Sequence, residues 1–110
     1  MVAMDITRLL AGHDFSGEPY LEFLRVPSLS VGLYVLPAGA EDPQQPHTED
    51  EVYHVVSGRG RIQVGAEDRA VEAGTIVFVE AGVDHRFHSI GEDLTVLVFF
   101  APAEGSRAER

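Results

Sequence analysis

Between residues 20 and 100 the chain is a succession of short runs rich in Val, Ile, Phe and Tyr, cut at close intervals by Gly, Pro or acidic turns. That rhythm constrains the fold more than any other feature. β-branched and aromatic residues suit a pleated surface, and short runs of them bounded by turn formers read as strands. The spacing predicts strands at 20 to 26 (YLEFLRV), 29 to 37, 51 to 57, 61 to 65, 68 to 73, 75 to 80, 85 to 90 and 94 to 101 (LTVLVFFA). Helical spacing is almost absent; only DITRLLAG near the N-terminus suits a short helix, with an edge strand as the alternative. Without a long helix to cover a flat sheet, the strands must bury their apolar faces against one another in a sandwich, jelly roll or small barrel.

A chain of 110 residues, 45% hydrophobic, supports one core. The expected organisation is an N-terminal segment over 1 to 19, a β barrel over 20 to 101, and a tail over 102 to 110. The tail sequence AEGSRAER offers little to bury and is expected to be disordered. Eighteen acidic against eight basic residues give a net charge of −10, which argues against nucleic acid and anionic membrane as partners. Zero cysteines exclude disulfides, thiolate nucleophiles and Cys-bound zinc, so a metal would have to sit on His, carboxylate or amide ligands. Asp5 and Arg8 interrupt the apolar N-terminus, leaving no signal-peptide core, and the longest apolar run, VLVFFA, is far too short to span a bilayer. A cytoplasmic protein is the expectation.

One stretch stands out chemically. In QQPHTEDEVYHVVSGRG, residues 44 to 60, potential ligands crowd directly in front of a run that a protein would normally bury. Side chains alternate faces along a strand, so Gln45, His47, Glu51, Tyr53 and Val55 share one side if the stretch stays extended. Val52, His54 and Val56 then take the other. In HRFHSI the same rule pairs His85 with Phe87 and sends Arg86 and His88 to the opposite face. Parity leaves open whether the two groups meet in space.

These residues carry a resemblance. HTEDEVYHVVSG is similar to the first cupin motif, in which a His-x-His pair is followed by Glu and later by Gly; here the positions hold Gln45, His47, Glu51 and Gly58. GTIVFVEAGVDHRFHS is similar to the second, with Gly74, then Glu80 where Pro is usual, Gly82, His85, and Ser89 where Asn is common. The resemblance spans about residues 28 to 101. It implies an all-β, double-stranded β-helix (jelly-roll) barrel holding one divalent metal on Gln45, His47, Glu51 and His85. Gln45 replaces an imidazole with a weaker neutral amide. The remaining two His and one carboxylate suit mononuclear non-haem iron, so Fe(II) or Mn(II) is favoured, with Ni, Co or Zn also compatible. Tyr53, on the same face, could donate a hydrogen bond to a substrate. Glu49 competes locally with Glu51 but lacks the motif spacing; His54 and His88 read as sheet-surface or subunit-contact residues, and His13 has no assigned role.

The resemblance implies a metal-dependent enzyme acting on a small molecule, a non-haem dioxygenase or related oxidoreductase above all. The alternatives are a metal-dependent isomerase, cyclase or lyase, and a non-catalytic module binding a small ligand. Adjacent Phe99 and Phe100 must point to opposite sides of their strand, so one of them needs cover outside the barrel. That cover is expected either from the N-terminal segment folding back or from a second chain in a homodimer.

Overall fold

The computed structural model describes residues 1–43 and 46–107. A short helix, α1 (Ile6–Ala11), precedes six strands: β1 (Tyr20–Val26), β2 (Leu29–Leu36), β3 (Asp50–Val64), β4 (Glu67–Glu72), β5 (Ile76–Val79) and β6 (His85–Ala101). All pairings are antiparallel. β3 and β6 run against each other from Asp50↔Ala101 to Val64↔His85 and form the spine. β2 lies on the other side of the second half of β6, with β1 beyond it. β5 pairs with the first half of β3 and β4 with the second.

Eight expected strands are therefore six. The runs at 51 to 57 and 61 to 65 fuse into β3, and those at 85 to 90 and 94 to 101 fuse into β6. The intervening Gly58 marks a bend rather than a turn, and the β3–β6 register slips three times between Val55 and Arg61. Gly58 sits at φ 93°, and a Cβ there would lie 2.1 Å from the Asp93 carbonyl oxygen. Only glycine combines that backbone with that approach. The bends let one sheet wrap a single core in which Tyr34, Leu36, Tyr53, Val55, Ile62, Val71, Phe87, Leu94, Val96, Val98 and Phe100 form one cluster. Each such side chain contributes about 1.5–3 kcal/mol by leaving water.

The opposite face of β2 is covered too. Val31 and Leu33 point away from the barrel interior yet are buried. Val2, Met4, Ile6 and Leu9 border one outer groove together with Phe23, Leu97 and Phe99, so the N-terminal segment folds back over its own chain. Phe100 faces inward and is buried, while Phe99 faces this groove and is half-buried. Cover for the outward phenylalanine comes from within the chain. No helix among the described residues is long and apolar enough to cross a membrane.

The tail corrects an expectation. Residues 103 to 107, read as disordered from their composition, return to the barrel as a turn closed by Ser106 N–H to the Ala103 carbonyl, 3.0 Å. Ala103 is buried. The order comes from backbone hydrogen bonds, which composition does not register.

Candidate metal centre

The two ligand-bearing segments are brought together by main-chain contacts. His47 precedes β3 and Glu51 is its second residue, while His85 is the first residue of β6. The turn between β5 and β6 docks on the first segment: Gly82 N–H donates to the His47 carbonyl at 2.7 Å, and Ala81 N–H donates to Asp50 Oδ1 at 3.0 Å. The cluster follows. Ligand atoms of His47, Glu51 and His85 all lie within 4.8 Å of one another, and Glu51 and His85 are buried. The parity rule held here, with Glu51, Tyr53 and Val55 inside and His54 outside. Gln45, the fourth expected ligand, lies outside the described residues.

His85 shows why this cluster suits a cation. Its Nδ1 is 2.9 Å from the Val83 carbonyl, which can only accept, so Nδ1 carries the proton. In the neutral ring Nε2 is then a lone pair, and it faces Glu51 Oε1 at 3.0 Å. Both Glu51 oxygens are buried without a hydrogen bond. So short a contact between Nε2 and Oε1 is favourable when a cation, a proton or a metal, stands between them. A second proton on His85 is one solution: burial alone would lower its pKa, but Glu51 and the Val83 carbonyl reverse this and raise it. A divalent metal is the other, and the nitrogen and oxygen donors fit one. His47 is half-buried, and loss of hydration lowers its pKa despite nearby Glu51. It is therefore predisposed to the neutral form that ligates.

Beside the cluster is a cavity of about 180 Å³ walled by Tyr20, Tyr34, Tyr53, Val98, Glu51 and Glu104. Space of about 150 Å³ can hold a six-membered ring. Tyr53 is buried, with its ring 4.9 Å from Phe87 and 6.0 Å from His85, which places it at the metal side of the chamber. Tyr20 reaches in from β1 across Gly32, where a Cβ would lie 2.3 Å from its phenol carbon and oxygen, and its hydroxyl is buried without a partner. Burial, reinforced by the Glu104, Glu22 and Glu51 charges, raises its pKa and keeps it a neutral donor.

Three further acids take part: Asp42 and Glu104 were missed in the sequence, and Glu49 was set aside there as a competitor of Glu51. Asp42 is buried and accepts from Tyr34 Oη at 2.5 Å and Phe87 N–H at 2.8 Å, fastening the loop before the first motif to β2 and β6. Glu49 is also buried, but it faces the tail and accepts from the Thr48 hydroxyl, Gly105 N–H (2.9 Å) and Arg107 N–H (3.1 Å). Burial pushes its carboxyl up, and these bonds more than offset that, leaving its pKa below the usual range. Glu104, carried by the tail, places Oε2 3.6 Å from His47 Nδ1. Its pKa is raised by burial and by the Glu51, Glu22 and Glu49 carboxylates. Nothing local in the sequence marks the burial of Glu49, or the roles of Glu104 and Asp42.

The outward histidines stay out of the cluster. His54 is exposed, His88 bonds Asp68 Oδ2 at 2.7 Å, and His13 lies 2.9 Å from the Glu18 carbonyl.

A single bent antiparallel sheet carrying a two-His, one-carboxylate cluster defines a small jelly-roll protein with a candidate metal site. The cupin domain model matches residues 32 to 100, and the chain belongs to the cupin family. It is 52% identical over 104 residues to an uncharacterised protein of Streptomyces coelicolor, covering 94% of this chain and 99% of that one. A solved protein of Thermus thermophilus superposes with a TM-score of 0.77 at 24% identity, over 94% of this chain and 99% of the other. An RmlC-like cupin with a double-stranded β-helix fold from Methanocaldococcus jannaschii gives 0.69 at 19% identity, over 76% and 78%. Both support the double-stranded β-helix architecture.

Proposed function

We propose that this cupin is a metal-dependent enzyme acting on a compact small molecule, a non-haem dioxygenase or related oxidoreductase, working in the cytoplasm. The observation that carries the reading is the gathering of His47, His85 and the buried Glu51 carboxylate, with ligand atoms all within 4.8 Å of one another. His47, Glu51 and His85 would hold the ion, with Fe(II) or Mn(II) favoured. When bound, such an ion supplies Lewis acidity and, for iron, one-electron chemistry toward oxygen. The chain's own residues do the rest. Aromatic walls make the chamber largely apolar, Tyr20 offers a hydrogen bond to an oxygen of the substrate, and Tyr53 lines the approach to Glu51. No basic side chain is among the described cavity-lining residues, so positive charge for a substrate anion would come from the metal.

The test is metal content of the purified protein together with oxygen uptake in the presence of candidate substrates. One iron or manganese per chain with substrate-dependent uptake supports the oxidoreductase. Metal without uptake points to Lewis-acid chemistry of the isomerase, cyclase or lyase kind. A protein that takes up no metal but retains an organic ligand is a binding module. We further propose pairing of two chains through the outer face of β3 and β5, where Ile76 and Phe78 are 68% and 61% exposed next to Val52. Light scattering that gives 12.0 kDa at micromolar concentration refutes the pair.

A further inference from the structure

The tail from Ala103 to Arg107 is held more firmly than a chain end needs. Glu49 accepts from the main chain at Gly105 and Arg107. Glu104 itself is gripped from both sides: its N–H donates to Oγ of fully buried Ser30 at 2.9 Å, and its carbonyl accepts from Arg25 Nη2 at 2.8 Å. Arg25 Nη1 is engaged with Glu22, so that guanidinium bonds the Glu104 main chain while the Glu104 carboxylate turns toward the chamber. There Oε2 stands 3.6 Å from His47 Nδ1. Phe100 meets the same imidazole edge-on at 4.8 Å between ring centres.

His85 supplies the comparison within the site. Its Nδ1 is satisfied by the Val83 carbonyl, and that bond fixes the tautomer and aims Nε2 at Glu51. Histidines that bind metals are regularly oriented this way, by a carboxylate or carbonyl on the ring nitrogen that does not ligate. Glu104 Oε2 stands on the Nδ1 side of His47 at 3.6 Å, longer than a formed hydrogen bond and a small side-chain movement away from one.

We propose that Glu104 is a positioning residue for the metal centre. In the loaded site its carboxylate closes on His47 Nδ1–H and holds Nε2 toward the ion, and it is carried to within 3.6 Å of that nitrogen by a tail clasped on Glu49. The inference rests on the metal reading of the preceding section. It assigns a role in the site to a residue outside both cupin motifs.

Zinc affinity of the wild-type protein, Glu104→Ala and Glu104→Gln is measured by competition with a chelator, alongside the visible spectrum of each protein loaded with cobalt(II). Glu104→Ala should weaken zinc by about 10–100-fold, the usual cost of losing a supporting partner, and alter the cobalt bands. Glu104→Gln keeps an oxygen acceptor for Nδ1–H and should recover most of the affinity and the spectrum. Melting of the metal-free proteins should be alike, since the side chain is not part of the apolar core. Zinc affinity and cobalt bands unchanged in Glu104→Ala overturn the proposal while leaving the metal centre standing, and so does a Glu104→Gln variant as weak as Glu104→Ala. Failure of the wild type to bind zinc or cobalt overturns the metal reading itself, and this inference with it.

Discussion

His85 meets Glu51 at 3.0 Å and His88 meets Asp68 at 2.7 Å, two pairs from the same strand with the same chemistry. The first pair has side chains 1% exposed on both members; the second has 26% and 36%. Asp68 also accepts from Arg61 Nε, and His88 has Ser89 Oγ 3.0 Å from its other nitrogen, so every charge there is shared among neighbours and water. Solvent screens such a pair to little net value. Both Glu51 oxygens are shut off from solvent, with His85 Nε2 against one of them. The difference teaches that contact length does not identify a site. An unsatisfied buried acceptor beside a chamber does, because folding has left a cost that a ligand can remove.

Breaking the buried pair should have the largest effect. His85→Ala, His47→Ala and Glu51→Gln should each abolish stoichiometric metal binding, a larger loss than the roughly 100-fold expected for a supporting residue. The proteins should stay folded, because the apolar cluster is separate. Glu51→Gln carries a second expectation: the metal-free protein should melt higher than wild type, since an uncompensated buried charge is gone. A lower melting point would show that Glu51 already has adequate partners.

Asp42 sharpens the contrast, being a buried acid that is satisfied. Asp42→Ala should orphan the Tyr34 hydroxyl and the Phe87 N–H at about 1–3 kcal/mol for each group. Urea denaturation measures this; a midpoint equal to wild type would mean the loop is fastened elsewhere. Next in size is Gln45→His, which should tighten metal binding as imidazole replaces an amide. Equal or weaker affinity places position 45 away from the ion. The smallest effect is reserved for the exposed pair. His88→Ala should leave metal stoichiometry and the denaturation midpoint unchanged, and loss of either would mean that the outer pair supports the site.

Much of this was legible in the chain. Period-two alternation grouped Glu51 with Tyr53 and Val55, and His85 with Phe87, and the structure buries all five. The motif spacings pointed to His47, Glu51 and His85 as partners, which strand parity could not. Other features resisted for physical reasons. A glycine at positive φ serves a hairpin turn and a bulge equally well, so Gly58 split β3 in two on paper. The order of residues 103 to 107 depends on a carboxylate more than fifty positions away in sequence, and no local pattern encodes it. Asp42 looks like one more acid in a loop until Phe87 is seen to need an acceptor.

The docking of the β5–β6 turn has a consequence for how the ion would come and go. Because the Gly82 N–H and the His47 carbonyl already join the two ligand-bearing segments, the donor set is assembled by the protein rather than by the metal. Zinc fingers work the other way, folding only as they are loaded. Here a chelator should strip the ion and leave the circular dichroism intact. Reloading should be limited by entry and dehydration of the ion and not by refolding, so different metals could be exchanged through one standing framework.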